Sequence, residues 1–372
     1  MKLINTVADF TGARVLVRVD FNVPIENGKV IDTFRIDKAL STINYLRDYG
    51  ARIILISHLG EEGTETLAPV GEYLNTIFPT TFVKDITGPV AQAALSKLVG
   101  GEVLLLENLR TNPGEVANDP NFAKELASLG TMYVNEAFSV SHRAHASVVG
   151  VPKLLPSYGG LDLGEEVQHL SLALTPTHPF LFILGGAKFS TKLPLVSKFL
   201  TLADRVYIGG ALANTFYKAK GFEVGTSVVE EGDFGIPSLL ENPKLILPES
   251  VIALDEKGMT RTTPAGQVLA NEKIIDIAPQ AIDELENEIM KAKLIVWNGP
   301  MGKYEDGYTK GTARLLELLA QSTGTTILGG GDTVALLDSM GIKDKFTFIS
   351  TGGGATLAYL GEGTLPGIEA LG

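Results

Sequence analysis

With 372 residues, 45% of them hydrophobic and 20% charged, the chain is too long for one ordinary core and too apolar for disorder, so two globular domains are expected. Its 43 acidic against 31 basic residues give a formal charge of −12, which argues against nucleic acid as a partner, since a phosphate backbone demands a broad basic surface. It has no cysteine for disulfides or thiolate chemistry, no apolar run of membrane-spanning length, and no leader-like apolar stretch in MKLINTVADFTGARV, so a cytoplasmic protein without a membrane partner is expected.

Short apolar runs alternate with helical patterns along the chain. In the first half RVLVRVDF (14–21), RIILIS (52–57), EVLLLE (102–107) and MYVNEAF (132–138) read as buried strands. Between them DKALSTINYLRDYG (37–50) and NFAKELASLG (121–130) read as helices, the second ending on Gly130. GVPKLLPSYGG (150–160) is rich in Pro and Gly and marks a boundary, after which LGEEVQHLSLAL (163–174) reads as a linking helix stopped by Pro176. The second half repeats the plan with strands FLFILGG (180–186), RVYIGG (205–210), KLILP (244–248), LIVWNGP (294–300), TTILGGG (325–331) and FTFIS (346–350). Helical patterns at 195–203, 278–293 and 312–322 separate them. Near-continuous apolar strands divided by helices imply parallel sheets covered on both faces. The expected fold class is α/β, with two doubly wound, Rossmann-like parallel-sheet domains joined by a linker helix and a cleft between them. The expected divisions are residues 1–157, an interdomain helix at 158–174, residues 175–349, and a C-terminal segment at 350–372.

Five strand-to-glycine junctions stand in the second half: ILGGAK, IGGALANTF, WNGPMG, LGGGDT and STGGGAT. They place Gly209, Gly210, Gly330, Gly331, Gly352 and Gly353 where open α/β sheets bind ligands, and glycine lets backbone N–H groups approach a phosphate closely. One such junction is an ordinary turn; five at corresponding places point to a nucleotide or polyphosphate. Neither a Walker A pattern nor a dinucleotide GxGxxG is present. Lys188 and Lys192 in GGAKFSTK are either solvated lysines opening a helix or ligands of the phosphates. Asp332 is either a plain N-cap or a ligand, direct or through water, for Mg²⁺ on a nucleotide.

The first half carries the opposite chemistry. RVDFNVP (18–24), Arg35, SHLG (57–60), ENLR (107–110) and SHRAH (141–145) set basic or polar residues at or near strand ends. Taken singly, each is a surface charge or a turn residue. Together they bring Arg18, Arg35, Arg110, Arg143, His58, His142 and His145 to one rim, with three of the chain's five histidines among them. Arginine's planar fork suits bidentate contact with phosphate and carboxylate. Such a basin on an acidic protein fits a small anionic substrate.

RVDFNVP, SHLG, LLLENLR, NEAFSVSHRAHAS, LGGAK, WNGPMG, GGGDT and STGGGA, in this order, resemble the phosphoglycerate kinase family over essentially the whole chain. The resemblance implies reversible, Mg²⁺-dependent phosphoryl transfer between 1,3-bisphosphoglycerate and ADP, giving 3-phosphoglycerate and ATP, by a monomer acting in glycolysis. It implies that the first domain binds the glycerate through Asp20, Asn22, Arg35, His58, Arg110 and Arg143. The second would bind the nucleotide: Lys192 and the Gly330–Thr333 turn on phosphates, Asp332 on Mg²⁺, Glu305 on the ribose, Gly209 and Gly210 at the adenine. Arg35, Lys188 and the helix start at Gly352–Gly354 would stabilise the transferring group, and the C-terminal tail would return to the first domain. Two half-sites of this kind require domain closure.

The sequence departs from the family pattern at several positions. Glu61-Glu62 follow SHLG where the family usually has Arg-Pro, so one phosphate-binding arginine is absent, and Glu61 is expected to turn outward. Thr191 precedes Lys192 where Asp is usual, AFSVSH replaces AFGTAH, Thr111 replaces an aromatic, and Lys303 takes a usually apolar position where its stem can still pack. An alternative reading is a catalytically impaired binding protein on the same scaffold; retention of Arg35, Lys188, Lys192 and Asp332 weighs against it.

Overall fold

Val15, Leu16 and Val17 lie side by side on one strand, and all three are fully buried. A strand can bury consecutive side chains only when both sheet faces are covered, as the apolar runs require. The computed structural model describes residues 1–372, which divide into two compact units, residues 1–168 with 364–372 and residues 169–363.

The first unit is built on six parallel strands in the order Thr80–Val83, Val103–Leu106, Arg52–Ile56, Arg14–Arg18, Met132–Asn135 and Ser157–Gly159. Helix Phe34–Asp48 turns Ile36, Ala39, Ile43 and Leu46 inward, a stripe at helical spacing that joins the core beside Ile53 and Leu55. Each such buried Ile or Leu contributes about 1.5–3 kcal/mol against remaining exposed.

The second unit has a matching parallel sheet in the order Leu245–Ile246, Arg205–Ile208, Phe180–Leu184, Leu294–Asn298, Thr325–Gly329 and Phe348–Ile349. Phe180, Phe182 and Phe199 pack together, the last two stacked at 3.8 Å between ring centroids. The helix Leu161–Ser171 joins the two units in sequence. The architecture is the α/β class of two doubly wound parallel-sheet domains.

Several elements differ from the sequence reading. The short strands Thr80–Val83 and Ser157–Gly159 extend the first sheet at its edges, where short polar sequences carry little hydrophobic signal. A three-stranded antiparallel sheet, with Ser250–Leu254 between Thr260–Pro264 and Lys273–Ile277, adds to the second unit; its central strand alternates in burial and so lacks a continuous apolar run. The pattern at 278–293 forms two helices, Pro279–Asp283 and Glu286–Lys291. Between them the Leu285 N–H bonds to Ile282 O, a tighter turn that carries Leu285 into the core.

Candidate active site

In the first unit the polar motifs follow the carboxyl ends of four parallel strands. Asp20 and Asn22 come after Arg14–Arg18, His58 after Arg52–Ile56, Arg110 after Val103–Leu106, and Ser139 to His145 after Met132–Asn135. Asp20 is the hub. Its carboxylate accepts from Arg35 Nη1 at 2.7 Å and from the Ser139 hydroxyl, and its Oδ1 lies 3.9 Å from His58 Nδ1. Burial alone would raise this carboxyl; the Arg35 charge, the Ser139 hydroxyl and Arg18 outweigh it and hold Asp20 below its ordinary value. Asn22 accepts from the Gly60 N–H at 2.9 Å and so ties the SHLG loop to this cluster.

Arg18 was expected at the rim, but it is fully buried. Its guanidinium donates to Ser147 Oγ at 2.9 Å, to Val19 O and to His58 Nδ1 at 3.2 Å, so every nitrogen is spent on the protein. Ser147 in turn donates to the buried Glu115. Arg18 therefore fixes the His58 ring, with Nδ1 as acceptor, and has no nitrogen left over for an anion.

The histidines do not carry positive charge at neutral pH. Burial, then the charges of Arg18 and its neighbours, push His58 down to about 2 and His145 to about 4. Burial and Arg143 lower His142 as well. The basin's positive character is thus arginine, and the imidazoles are neutral hydrogen-bonding groups.

The ENLR segment is a clamp for the loop before it. Asn108 accepts from the Leu59 and Arg110 N–H groups and donates to Leu59 O and Glu65 O. Glu107 accepts from Thr66 and Leu67. Gly63 has φ +74°, and a Cβ there would lie 2.1 Å from Arg110 O, so the loop lies directly on the Arg110 backbone. Arg110 donates to Gly60 O, and its buried Nε has no protein partner. Glu61 does not simply turn outward. Its side chain is 75% exposed, yet Oε2 lies 3.0 Å from Arg110 Nη1 and Oε1 lies 3.9 Å from Arg143 Nη1. Two cations facing one tethered loop draw its carboxylate inward.

In the second unit a cavity of about 490 Å³ opens at the glycine junctions. Lys188, Lys192, Gly210, Glu305, Gly330, Gly331, Asp332 and Gly353 line it. Gly209, Thr333 and Gly352 do not reach its wall: all three are buried. The Thr333 hydroxyl is left without a protein partner.

Helices starting at Phe189, Gly210, Gly331 and Gly354 begin at this cavity, and none has a side-chain N-cap. Apart from Phe189 and Ser190, which donate to Glu230, Leu212, which donates to Gly186 O, and Ala355, which donates to Gly352 O, their first turns offer N–H groups and the positive end of a helix dipole to an anion. Only glycine suits position 210: φ is +61°, and a Cβ would lie 2.6 Å from Gly186 N. Lys192 donates to Gly185 O at 2.6 Å, and burial brings its ammonium down to about 8.

Asp332 is raised by burial and by the charge of Glu305 across the cavity. A divalent cation would relieve that repulsion, and one or two carboxylates suit Mg²⁺, which takes most of its remaining ligands from phosphate and water. The cavity also has walls that the sequence did not single out as site residues, although Asn298 stands in WNGPMG and Lys303 departs from the family pattern. Asn298 has a buried Nδ2 with no protein partner. Asp276 is raised to about 6 by burial while it accepts the Gly311 N–H at 3.1 Å. Lys303 lines the cavity with its head paired to Asp306 at 2.6 Å.

The sequence matches the phosphoglycerate kinase family over residues 4–363. It is 43% identical over 383 residues to the phosphoglycerate kinase of Roseiflexus castenholzii, covering 98% of this chain and 97% of that protein. It is 41% identical over 381 residues to that of Dictyoglomus turgidum, covering 98% and 96%. Among solved structures, phosphoglycerate kinase from Coxiella burnetii superposes with a TM-score of 0.84 at 36% identity, covering 96% of this chain and 95% of that one. The enzyme from Pyrococcus horikoshii superposes with a TM-score of 0.88 at 31% identity, covering 100% and 98%.

Proposed function

The chain belongs to the phosphoglycerate kinase family, and from that premise we propose which of its residues perform each part of the reaction. The protein is a glycolytic, nucleotide-dependent kinase that transfers phosphate to and from the carboxyl group of 3-phosphoglycerate. Transfer of this kind needs little covalent work from a protein; positioning and charge neutralisation supply most of the acceleration.

In the proposed assignment Arg110 and Arg143 hold the phosphate that is not transferred, and Asp20 and Asn22 orient the glycerate. Neutral His58, His142 and His145 hydrogen-bond to it. Arg18 positions His58 rather than touching substrate. Arg35, released from Asp20 or shared with it, neutralises the transferring group together with Lys188 and the helix start at Gly352–Gly354. On the nucleotide, Lys192 and the backbone turn Gly330–Asp332 hold phosphates, Glu305 the ribose, and Gly210 shapes the adenine slot, with Gly209 and Thr333 supporting it from behind the wall. Asp332 would hold Mg²⁺, which supplies neutralisation of phosphate charge when bound. The proposed working state is a cytoplasmic monomer with the glycerate in residues 1–157 and the nucleotide in 175–349.

The observation that supports this reading best is the set of uncapped helix starts around one cavity that also holds two lysines and the Asp332 carboxylate. The test is ATP-dependent phosphorylation of 3-phosphoglycerate with Mg²⁺, the acyl phosphate being removed by a coupling dehydrogenase. Robust turnover is expected. Lys188→Ala is expected to lower kcat by about 10²-fold while the Kd for ADP moves by less than about threefold, because its charge matters most during transfer. Equal losses in both would remove Lys188 from that role.

A further inference from the structure

We propose that Glu61 is a built-in competitor for the anion site, a specificity-determining residue whose carboxylate occupies Arg110 and Arg143 until 3-phosphoglycerate displaces it. The idea rests on the reading that these two arginines hold the glycerate's phosphate.

The geometry is specific. One carboxylate reaches both cations, Oε2 to Arg110 Nη1 at 3.0 Å and Oε1 to Arg143 Nη1 at 3.9 Å. Neither arginine is engaged by another carboxylate within ion-pair distance. The loop that carries Glu61 is held at both ends, by Asn108 at Leu59 and Glu65, and in between by Arg110 at Gly60 O. The carboxylate is therefore confined near the arginines.

Displacement is nonetheless easy. The Glu61 side chain is 75% exposed, and a pair with one solvated partner is worth only about 0–1 kcal/mol. A phosphate dianion offers three oxygens and twice the charge, so it can bridge both forks where a carboxylate meets each at one oxygen. Once displaced, Glu61 stays tethered beside the bound dianion and repels it. Both costs fall on binding in ground state and transition state alike, because this end of the glycerate does not change charge during transfer. Glu61 should therefore raise KM for 3-phosphoglycerate and leave kcat and KM for ATP alone.

The experiment compares the full-length protein with Glu61→Gln and Arg143→Gln, and adds titration with inorganic sulfate as a probe that needs no turnover. Glu61→Gln is expected to lower KM for 3-phosphoglycerate about fivefold and to tighten sulfate by a similar factor, with kcat and KM for ATP within about twofold. The difference should shrink as salt screens it. In the Arg143→Gln background Glu61→Gln should have a smaller effect, since part of what Glu61 blocks is gone. If Arg143→Gln raises KM for 3-phosphoglycerate while Glu61→Gln leaves it unchanged or raises it, the competitor role is overturned and the glycerate assignment stands. If neither variant moves KM for 3-phosphoglycerate or sulfate affinity, the glycerate assignment itself falls, and the proposal with it.

Discussion

The imidazoles of His58 and His145 are held neutral by burial first and by neighbouring arginine charge second. An unfolded histidine takes up its proton near pH 6.5, whereas these remain neutral down to about 2 and about 4 in the folded chain. Between those limits the unfolded state binds more protons, so their contribution to stability is complete above pH 6.5 and is lost as pH falls below it. Urea unfolding at pH 7 and pH 5 is expected to show that loss, up to about 1.4 kcal/mol per pH unit for each histidine. His145→Gln should remove part of the slope; an unchanged slope would mean that His145 is protonated in the folded protein. The Glu61→Arg variant belongs to the same scale. Reversing the charge should tighten 3-phosphoglycerate more than Glu61→Gln does, measured as KM.

The loop Leu59–Leu67 owes its shape to residues on another strand. Asn108 is fully buried and satisfies three polar groups of that loop and the Arg110 N–H of its own segment. Asn108→Ala leaves them orphaned, and a loss of about 2–4 kcal/mol in unfolding free energy is expected. Because the clamp holds Leu59, next to His58, and the Arg110 N–H, KM for 3-phosphoglycerate should rise with it, while KM for ATP should not. The helix Leu161–Ser171 poses a different problem. Glu136 accepts its first N–H groups, at 3.1 Å from Asp162 and 3.2 Å from Leu163, yet burial and then the Asp162 charge push Glu136 up to about 8. Here the folded state keeps a proton that the unfolded state releases near 4.5, so stability falls as pH rises from 4.5 to 8. This opposes the histidine slope in an overlapping window, and only variants separate the two. Glu136→Gln is expected to hold Tm nearly level between pH 6 and pH 8.5 where the parent declines.

Ligand linkage acts on the molecule as a whole. Mg-ADP at a hundredfold excess over its Kd should raise the unfolding free energy by about 2.7 kcal/mol if it binds only the folded state. Asp332→Asn should retain stabilisation by ADP and lose the increment that Mg²⁺ adds, as read by calorimetry with and without the metal. An increment that survives the substitution would move the metal to other groups. The net charge of −12 is compatible with anionic ligands only because each site sets its own local field, arginines in one unit and helix ends with lysines in the other.

Much of this was legible in the chain itself. Runs such as RVLVRVDF and LIVWNGP state parallel strands buried on two faces, and glycines at their ends mark the junctions where the cavity opens. Both signals are local, set by consecutive residues. The sequence also placed basic residues after strand ends, but spacing does not say which way a side chain points. Tertiary packing decided that Arg18 is sealed inside as a support, that His58, His142 and His145 lose their charge to burial, and that Asp276 and Asn298 line the second unit's cavity. It also brought Glu61 to Arg110 and Arg143, which lie 49 and 82 residues further along the chain. Charge, burial and direction at a site depend on neighbours distant in sequence, and only the folded chain chooses those neighbours.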